Sequence, residues 1–341
     1  MKAFAVTSPG RLDTIHLPVP ELGPFDVLCR MQYGTVCAGT DARVVAGQAG
    51  PGVYPAVIGH ESIGQVVLTG HAVRSFREGD YITRVGLPPS TDGSYHLAWG
   101  GMAEMGIARD HAALRLSGAR RGEWFPYRVH QVIPSTLMEP ALMPMFVTWR
   151  ETLSYAHRIG FAAGTNVLIS GTGASGLSFA AMARALGAPL VAVVGSESRR
   201  AAALAAGADL FVSYRDAAEV DQLVKDHRNR FNILVDATGI PASINRLLPA
   251  LREGGTIGNY GLDDPDNYAI NPTLAHSFTF YNGGYDEPET HWEVIDLVQH
   301  GKLDARHWID PSKMFDWSNI PAAFAAAQDR SQIKPLINLH P

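Results

Sequence analysis

Residues 171–176, Gly-Thr-Gly-Ala-Ser-Gly, place glycine at the first, third and sixth positions, the spacing with which a chain turns beneath the pyrophosphate of a dinucleotide. Gly171 would make the tight turn, and Gly173 would let the backbone approach the phosphates. Gly176 would let the following helix pack close to the preceding strand. Ala174 and Ser175 lie between them, where free N–H groups and the positive end of a helix dipole favour an anion. A glycine match alone is weak. Here an apolar run at 166–170 precedes it, and Leu177, Ala180, Ala181 and Ala185 follow at helical spacing, which is the setting the motif requires.

The next strand should choose the cofactor. A site for NAD carries Asp or Glu about 20 residues further on, where it bonds the ribose hydroxyls. Gly195 stands at that point, followed by Ser196, Glu197, Ser198, Arg199 and Arg200. Hydroxyls beside guanidinium groups suit a 2′-phosphate, to which Arg makes charge-assisted bidentate bonds. Tyr214, at the end of the following strand, is counted with them as a cofactor contact. NADP(H) is therefore expected over NAD(H), with Glu197 as the opposing signal.

Three upstream side chains could hold a metal, although each is bland by itself. Cys37 follows a strand at 27–33, His60 lies in Gly-His-Glu at 59–61, and Glu139 precedes Pro140. A single Cys is more often a small core residue, and Gly-His-Glu more often a polar turn.

The elements that must position these groups fall into two patterns. Residues 1–135 read as short strands, at 2–7, 27–33 and 62–68, separated by Gly and Pro turns. From residue 166 strands and helices alternate. Strands are expected at 166–170, 190–194, 210–214, 232–237 and 256–260, with helices at 176–186, 198–206, 217–225 and 242–251. That alternation predicts right-handed βαβ units and a doubly wound parallel sheet. A helix at 292–300 and a strand at 333–339 close the chain.

Taken together and in this order, the segments resemble the zinc-dependent medium-chain alcohol and polyol dehydrogenases. The matched pieces are Cys37 with Gly39-Thr-Asp41, Gly59-His-Glu61, Gly100-Gly-Met-Ala-Glu104, Glu139-Pro140 and the 171–176 turn. Further matches are Val235-Asp-Ala-Thr-Gly239, Leu251-Arg-Glu-Gly-Gly-Thr256 and Ile333-Lys-Pro-Leu-Ile337. The resemblance covers nearly the whole chain. It implies an α/β protein with a GroES-like, mostly β catalytic domain at 1–140 and 291–341, and a Rossmann domain at 141–290. The catalytic zinc would fall on Cys37, His60 and Glu139, with the fourth position open for water or substrate. In that frame the Thr40 hydroxyl begins the proton relay and Asp41 orients His60. Glu61 tunes the metal or meets a substrate hydroxyl, and Lys334 contacts the cofactor or carries a structural charge pair.

Glu-Pro at 139–140 and the stretch 39–47 are similar to the polyol and NADP-preferring glucose dehydrogenases, so a secondary alcohol of a sugar, polyol or cyclitol is the expected substrate. Thr40 stands three residues after the Cys, where the family has two. Residues 87–128, with Tyr95, His96, Trp99 and Trp124, match no motif and are expected to shape the substrate pocket. The resemblance also implies a homodimer or homotetramer.

Composition narrows the alternatives. The chain has 341 residues, enough for two domains, with 46% apolar and 18% charged residues. A net charge of −5 argues against a nucleic-acid footprint. No apolar run is long enough to span a bilayer, and the segment after Met1 does not read as a signal peptide. Only Cys29 and Cys37 are present, which excludes a disulfide scaffold and a four-cysteine structural zinc site. One zinc per chain and a cytoplasmic location are expected. Two competing readings remain: a zinc-independent NADPH-dependent quinone or enone reductase of the same fold, and a non-catalytic nucleotide-binding protein.

Overall fold

The computed structural model describes residues 1–261 and 267–340. It divides into two compact units, one formed by Met1–Val147 with Trp308–Pro341, the other by Thr148–His307. Among the described residues no helix is long and apolar enough to cross a membrane.

The first unit is built on two sheets. The smaller runs in the order Arg11–His16, Lys2–Ser8, Ala56–Val57, His96–Leu97. The larger runs Leu336–Asn338, Asp26–Thr35, Glu61–Thr69, Tyr81–Thr83, Val132–Ile133, with Met105–Arg109 also paired to Asp26–Thr35. The last strand returns to the start of the chain. Leu336 pairs with Thr35, and Thr35 on its other side pairs with Glu61. Met31, Ile58, Ile82, Ile337 and Leu339 join the same buried cluster, so the C-terminal strand is fixed by the core it helps to fill. Cys29 lies in that cluster, and burial pushes its thiol pKa up.

Part of the segment expected to be mostly β is helical. Asp110 accepts from the backbone N–H of Ala113 at 2.9 Å and caps the helix His111–Leu116, and it also binds the N–H groups of Arg74 and Ser75. Arg121–Trp124 and the 3-10 turn Phe125–Val129 follow, with Arg121 and Arg128 both stacked on Phe125.

The second unit holds a parallel sheet in the order Leu210–Ser213, Val191–Gly195, Val167–Ser170, Phe231–Asp236, Leu251–Asn259, Phe278–Tyr281. The inner strands are buried on both faces, as their uninterrupted apolar sequences require. The edge strand Phe278–Tyr281 was not expected from sequence; it is short and half exposed, so it lacks that apolar signature. The helix expected at 242–251 stops at Leu247, because Pro249 has no N–H to continue it.

The units divide later in the chain than the expected boundaries at 140 and 290. The helix His291–Gln299 belongs to the second unit, where Arg150 meets Nδ1 of His291 at 3.4 Å and Thr290 donates to the Arg150 carbonyl at 2.9 Å. Arg150 is fully buried and forms an ion pair with Glu287, also buried, which ties this segment to the helix Met145–Arg158.

Candidate functional site

In the first unit, ligand atoms of Cys37, His60 and Glu61 lie within 4.8 Å of one another. Asp41 joins two of the three. It is fully buried; one carboxylate oxygen lies 3.1 Å from Nδ1 of His60 and the other accepts from the Cys37 N–H at 2.9 Å. Asp41 can do both because the chain turns into the helix Thr40–Val45 directly after Cys37. With Nδ1 directed at a carboxylate, Nε2 is left to face the cluster, where Oε1 of Glu61 lies 3.9 Å away. The extra residue between Cys37 and Thr40 does not remove the thiol from the group. Thr40 opens the helix and is half-buried.

Glu139, expected as the third ligand, is not in this group. It is exposed and opens the 3-10 turn Pro140–Leu142. The carboxylate that meets Cys37 and His60 is Glu61. Alternation along a strand would send neighbours 60 and 61 to opposite faces. His60 escapes that rule because it precedes the strand Glu61–Thr69 and follows Gly59, whose φ of +97° turns the chain.

Glu61 is buried and held from two sides. Thr35 donates to Oε2 at 2.6 Å and the Lys334 ammonium pairs with Oε1. The register explains this meeting, since Glu61 and Leu336 flank Thr35 and Lys334 lies two residues before Leu336. Burial by itself would raise the Glu61 carboxyl pKa. The charge of Lys334, with smaller help from His60 and Thr35, more than offsets it and holds the carboxyl at about 2. Burial likewise disfavours a charged His60, but the Asp41 carboxylate beside it, aided by Cys37, raises its pKa well above the ordinary value. A carboxylate offers about four lone-pair sites, so the contacts to Thr35 and Lys334 do not by themselves prevent Glu61 from binding a cation. A thiolate, an imidazole and a carboxylate with the imidazole oriented from behind form a donor set that fits zinc with one position open.

The Lys334–Glu61 pair carries a stability prediction with a defined pH window. Lys334→Met leaves a buried carboxylate without its partner and is expected to cost about 3–5 kcal/mol near neutral pH. The Glu61 carboxyl moves from an ordinary 4.5 down to about 2 in the folded protein. Its contribution is therefore full above 4.5 and is lost as pH falls toward 2. Urea unfolding of both proteins from neutral pH down to about pH 3 checks this: the gap should narrow on the acid side. A gap that stays constant would assign the loss to packing.

In the second unit, the 171–176 turn lies between the strand Val167–Ser170 and the helix Ala174–Ala185. Gly171 has φ +113°, and a Cβ on Gly176 would overlap the Gly171 carbonyl. Gly173 differs: φ is −70° and nothing lies within 4 Å of where its Cβ would be. The fold does not need glycine there, so the open space suits a group from outside the chain. No side chain caps this helix. A side chain on Gly195 would overlap Thr172, whose hydroxyl accepts from the Ser196 N–H at 3.0 Å. The strand end is thus closed to the acid that a ribose would need.

Ser196 and Ser198 hydroxyls are 3.1 Å apart. Arg200 is engaged by its neighbours, binding Glu197 at 2.7 and 3.0 Å and the Phe211 carbonyl at 3.2 Å. Glu197, the opposing signal in the sequence, is thereby paired. Tyr214 is anchored to the Gly195 carbonyl at 2.9 Å and is joined by a residue the sequence reading missed. Arg215 donates to the Tyr214 hydroxyl at 3.1 Å and lies over its ring. Its position directly after Tyr214 was the available signal.

Comparison with known proteins finds relatives over nearly the whole chain. Residues 23–118 match the family model described as alcohol dehydrogenase GroES-like domain, and residues 174–300 the model described as zinc-binding dehydrogenase. An L-threonine 3-dehydrogenase of Streptomyces avermitilis is 30% identical, with 92% of each chain covered. A sorbitol dehydrogenase of Ovis aries is 31% identical over 76% of this chain and 75% of that protein. An alcohol dehydrogenase of Cupriavidus necator is 28% identical over 89% of each. Among solved structures, a zinc-binding dehydrogenase from Sinorhizobium meliloti bound to NADP superimposes with a TM-score of 0.80 at 22% identity, covering 99% of this chain and 98% of that one.

Proposed function

The chain belongs to the zinc-binding alcohol and polyol dehydrogenases, and from that premise we propose that it transfers hydride between NADP(H) and a secondary alcohol or ketone of a hydroxyl-rich substrate. The observation that carries this reading is the convergence of Cys37, His60 and Glu61 with Asp41 behind them. Zinc held by these three residues would supply a Lewis acid for the reacting oxygen.

The chain's own groups supply the rest. Asp41 keeps the His60 ring in one orientation and one tautomer. Lys334 and Thr35 hold Glu61 ionised at neutral pH, ready to coordinate without first losing a proton. The Thr40 hydroxyl, one turn from Cys37, is the first acceptor proposed for the substrate's proton. Gly171, Gly173 and Gly176, with Ala174 and Ser175, cradle the pyrophosphate at an uncapped helix start.

Gly195 and the Tyr214–Arg215 pair support NADP(H) as the preferred cofactor, with Ser196, Ser198 and Arg199 lining the same end of the sheet. Arg200 is assigned a supporting role through Glu197. Arg215→Ala is expected to weaken NADPH binding by about 1.5–3 kcal/mol, a charged hydrogen bond's worth, and to leave NADH nearly untouched. Fluorescence titration with each cofactor measures this; equal losses would remove Arg215 from 2′-phosphate recognition.

Among the described residues one group of metal-ligating side chains gathers, and the edge strand Phe278–Tyr281 is available for self-association, which supports one zinc per chain and a homodimer or homotetramer. The decisive experiment is zinc per chain by elemental mass spectrometry, followed by NADP⁺ reduction with sugars, polyols and cyclitols. Zinc near one per chain with turnover of such an alcohol supports the proposal. Zinc near zero, not restored by added metal, would favour the quinone or enone reductase.

A further inference from the structure

Four non-glycine residues among those described have positive φ, and two of them touch His60. Arg84, at φ +60°, donates to the His60 carbonyl at 3.0 Å. Trp99, at φ +72°, places its indole 4.9 Å from the imidazole, centroid to centroid. For a bulky side chain this backbone region is an outlier, and such outliers gather at functional sites.

The chain holds Trp99 there firmly. The N–H groups of Ala98 and Gly100 both donate to the Val57 carbonyl, at 2.8 and 3.1 Å, so Trp99 is looped out between them. Gly101 donates to the Gly59 carbonyl at 2.8 Å, and a Cβ on Gly101 would overlap the Ser62 side chain. A bulge of this kind re-aims a side chain while its flanks stay fixed. The indole so aimed is not buried: Trp99 is 47% exposed, whereas His60 is 6% exposed. The fold gains little from an exposed indole at a position where glycine would be less strained. The remaining role for the ring is contact with something that arrives beside His60.

We propose that Trp99 is the substrate platform of this site: its indole face takes the C–H face of a cyclic polyol whose hydroxyl is directed at the Cys37, His60 and Glu61 cluster. The negative face of an aromatic ring attracts the slightly positive C–H groups of a saturated ring, and a flat wall accepts a ring better than a flexible chain. The inference rests on the proposed hydride-transfer reading and adds the shape of the substrate to it. It assigns to Trp99 a specificity role and no part in the proton or hydride steps.

The test compares the zinc-containing wild-type protein with Trp99→Phe and Trp99→Gly. Glycine relieves the positive φ, so this variant is expected to fold and to keep its zinc. The first readout is tryptophan emission on addition of myo-inositol, D-glucose or cyclohexanol without cofactor. A saturable change is expected in the wild type with at least one of these and in neither variant. The second readout is kinetic. For the ring that gives the emission change, Trp99→Gly is expected to raise KM at least tenfold with kcat little altered, and Trp99→Phe to raise it less. KM for 2-propanol, too small to cover the indole, should stay the same in all three.

An emission change that persists in both variants, or none in the wild type, overturns the proposal. So does a KM for the ring that Trp99→Gly leaves unchanged, or a parallel loss of zinc and kcat. Failure of the underlying hydride-transfer reading looks different: no alcohol of any shape would reduce NADP⁺ even with zinc bound, while the emission readout would still report whether the indole meets a ring.

Discussion

Cys37→Ala is expected to purify with little zinc and to lose alcohol oxidation by well over about 100-fold, beyond what removal of a partner behind a ligand costs. Its affinity for NADPH should be unchanged, because the glycine cradle belongs to the other compact unit. The expectation follows from the donor set. Removing the thiolate leaves one imidazole and one carboxylate, and that carboxylate already accepts from Thr35 and Lys334. A two-ligand remnant has neither the charge nor the geometry of a tetrahedral zinc site. The fold should survive, since Cys37 is only partly buried and its backbone N–H keeps its bond to Asp41. Elemental analysis, steady-state turnover and NADPH titration on one preparation check the three parts together. Full turnover without zinc would end the metal-based reading and favour the zinc-independent reductase.

Glu287→Ala is expected to be the most destabilising single change in the second unit, at about 3–5 kcal/mol. Arg150 is fully buried and cannot lose its proton, so removing Glu287 takes away the carboxylate paired with a buried charge. For a domain of this size, that corresponds to a melting point lower by roughly 6–20 °C. Scanning calorimetry measures it. The double variant Arg150→Met with Glu287→Leu should recover much of the loss, since an apolar pair avoids the desolvation cost altogether. A single-variant loss below about 1 kcal/mol would mean that water reaches the guanidinium once the carboxylate is gone.

The parallel sheet was legible because its signals are local. Buried strands such as Val167–Ser170 and Val191–Gly195 are apolar runs, and the helices between them repeat at helical spacing. The 171–176 turn was legible for the same reason, as its three glycines lie within six residues of the chain. The edge strand Phe278–Tyr281 was not, since among the described residues no strand lies on its outer side to bury it. Helices within 110–129 are hard to read from sequence because they are only six and four residues long, too short to show a helical repeat, although the Asp110 cap on Ala113 is local.

The sequence by itself determined the alternating architecture and the glycine cradle, because spacing along the chain is enough for each, whereas Cys37 and His60 became candidates only through the family resemblance of the segments that hold them. Tertiary structure alone decided which carboxylate completes the cluster. The sequence favoured Glu139, but the register of Thr35 between Glu61 and Leu336 brings Glu61 to Lys334, while Glu139 is exposed at the start of the turn Pro140–Leu142. Tertiary structure also decided that Trp99, without any motif around it, is aimed beside His60. The physical reason is the same in both cases. A local pattern reports what a segment can become, whereas strand register and a looped-out residue depend on hydrogen bonds to segments far away in the chain.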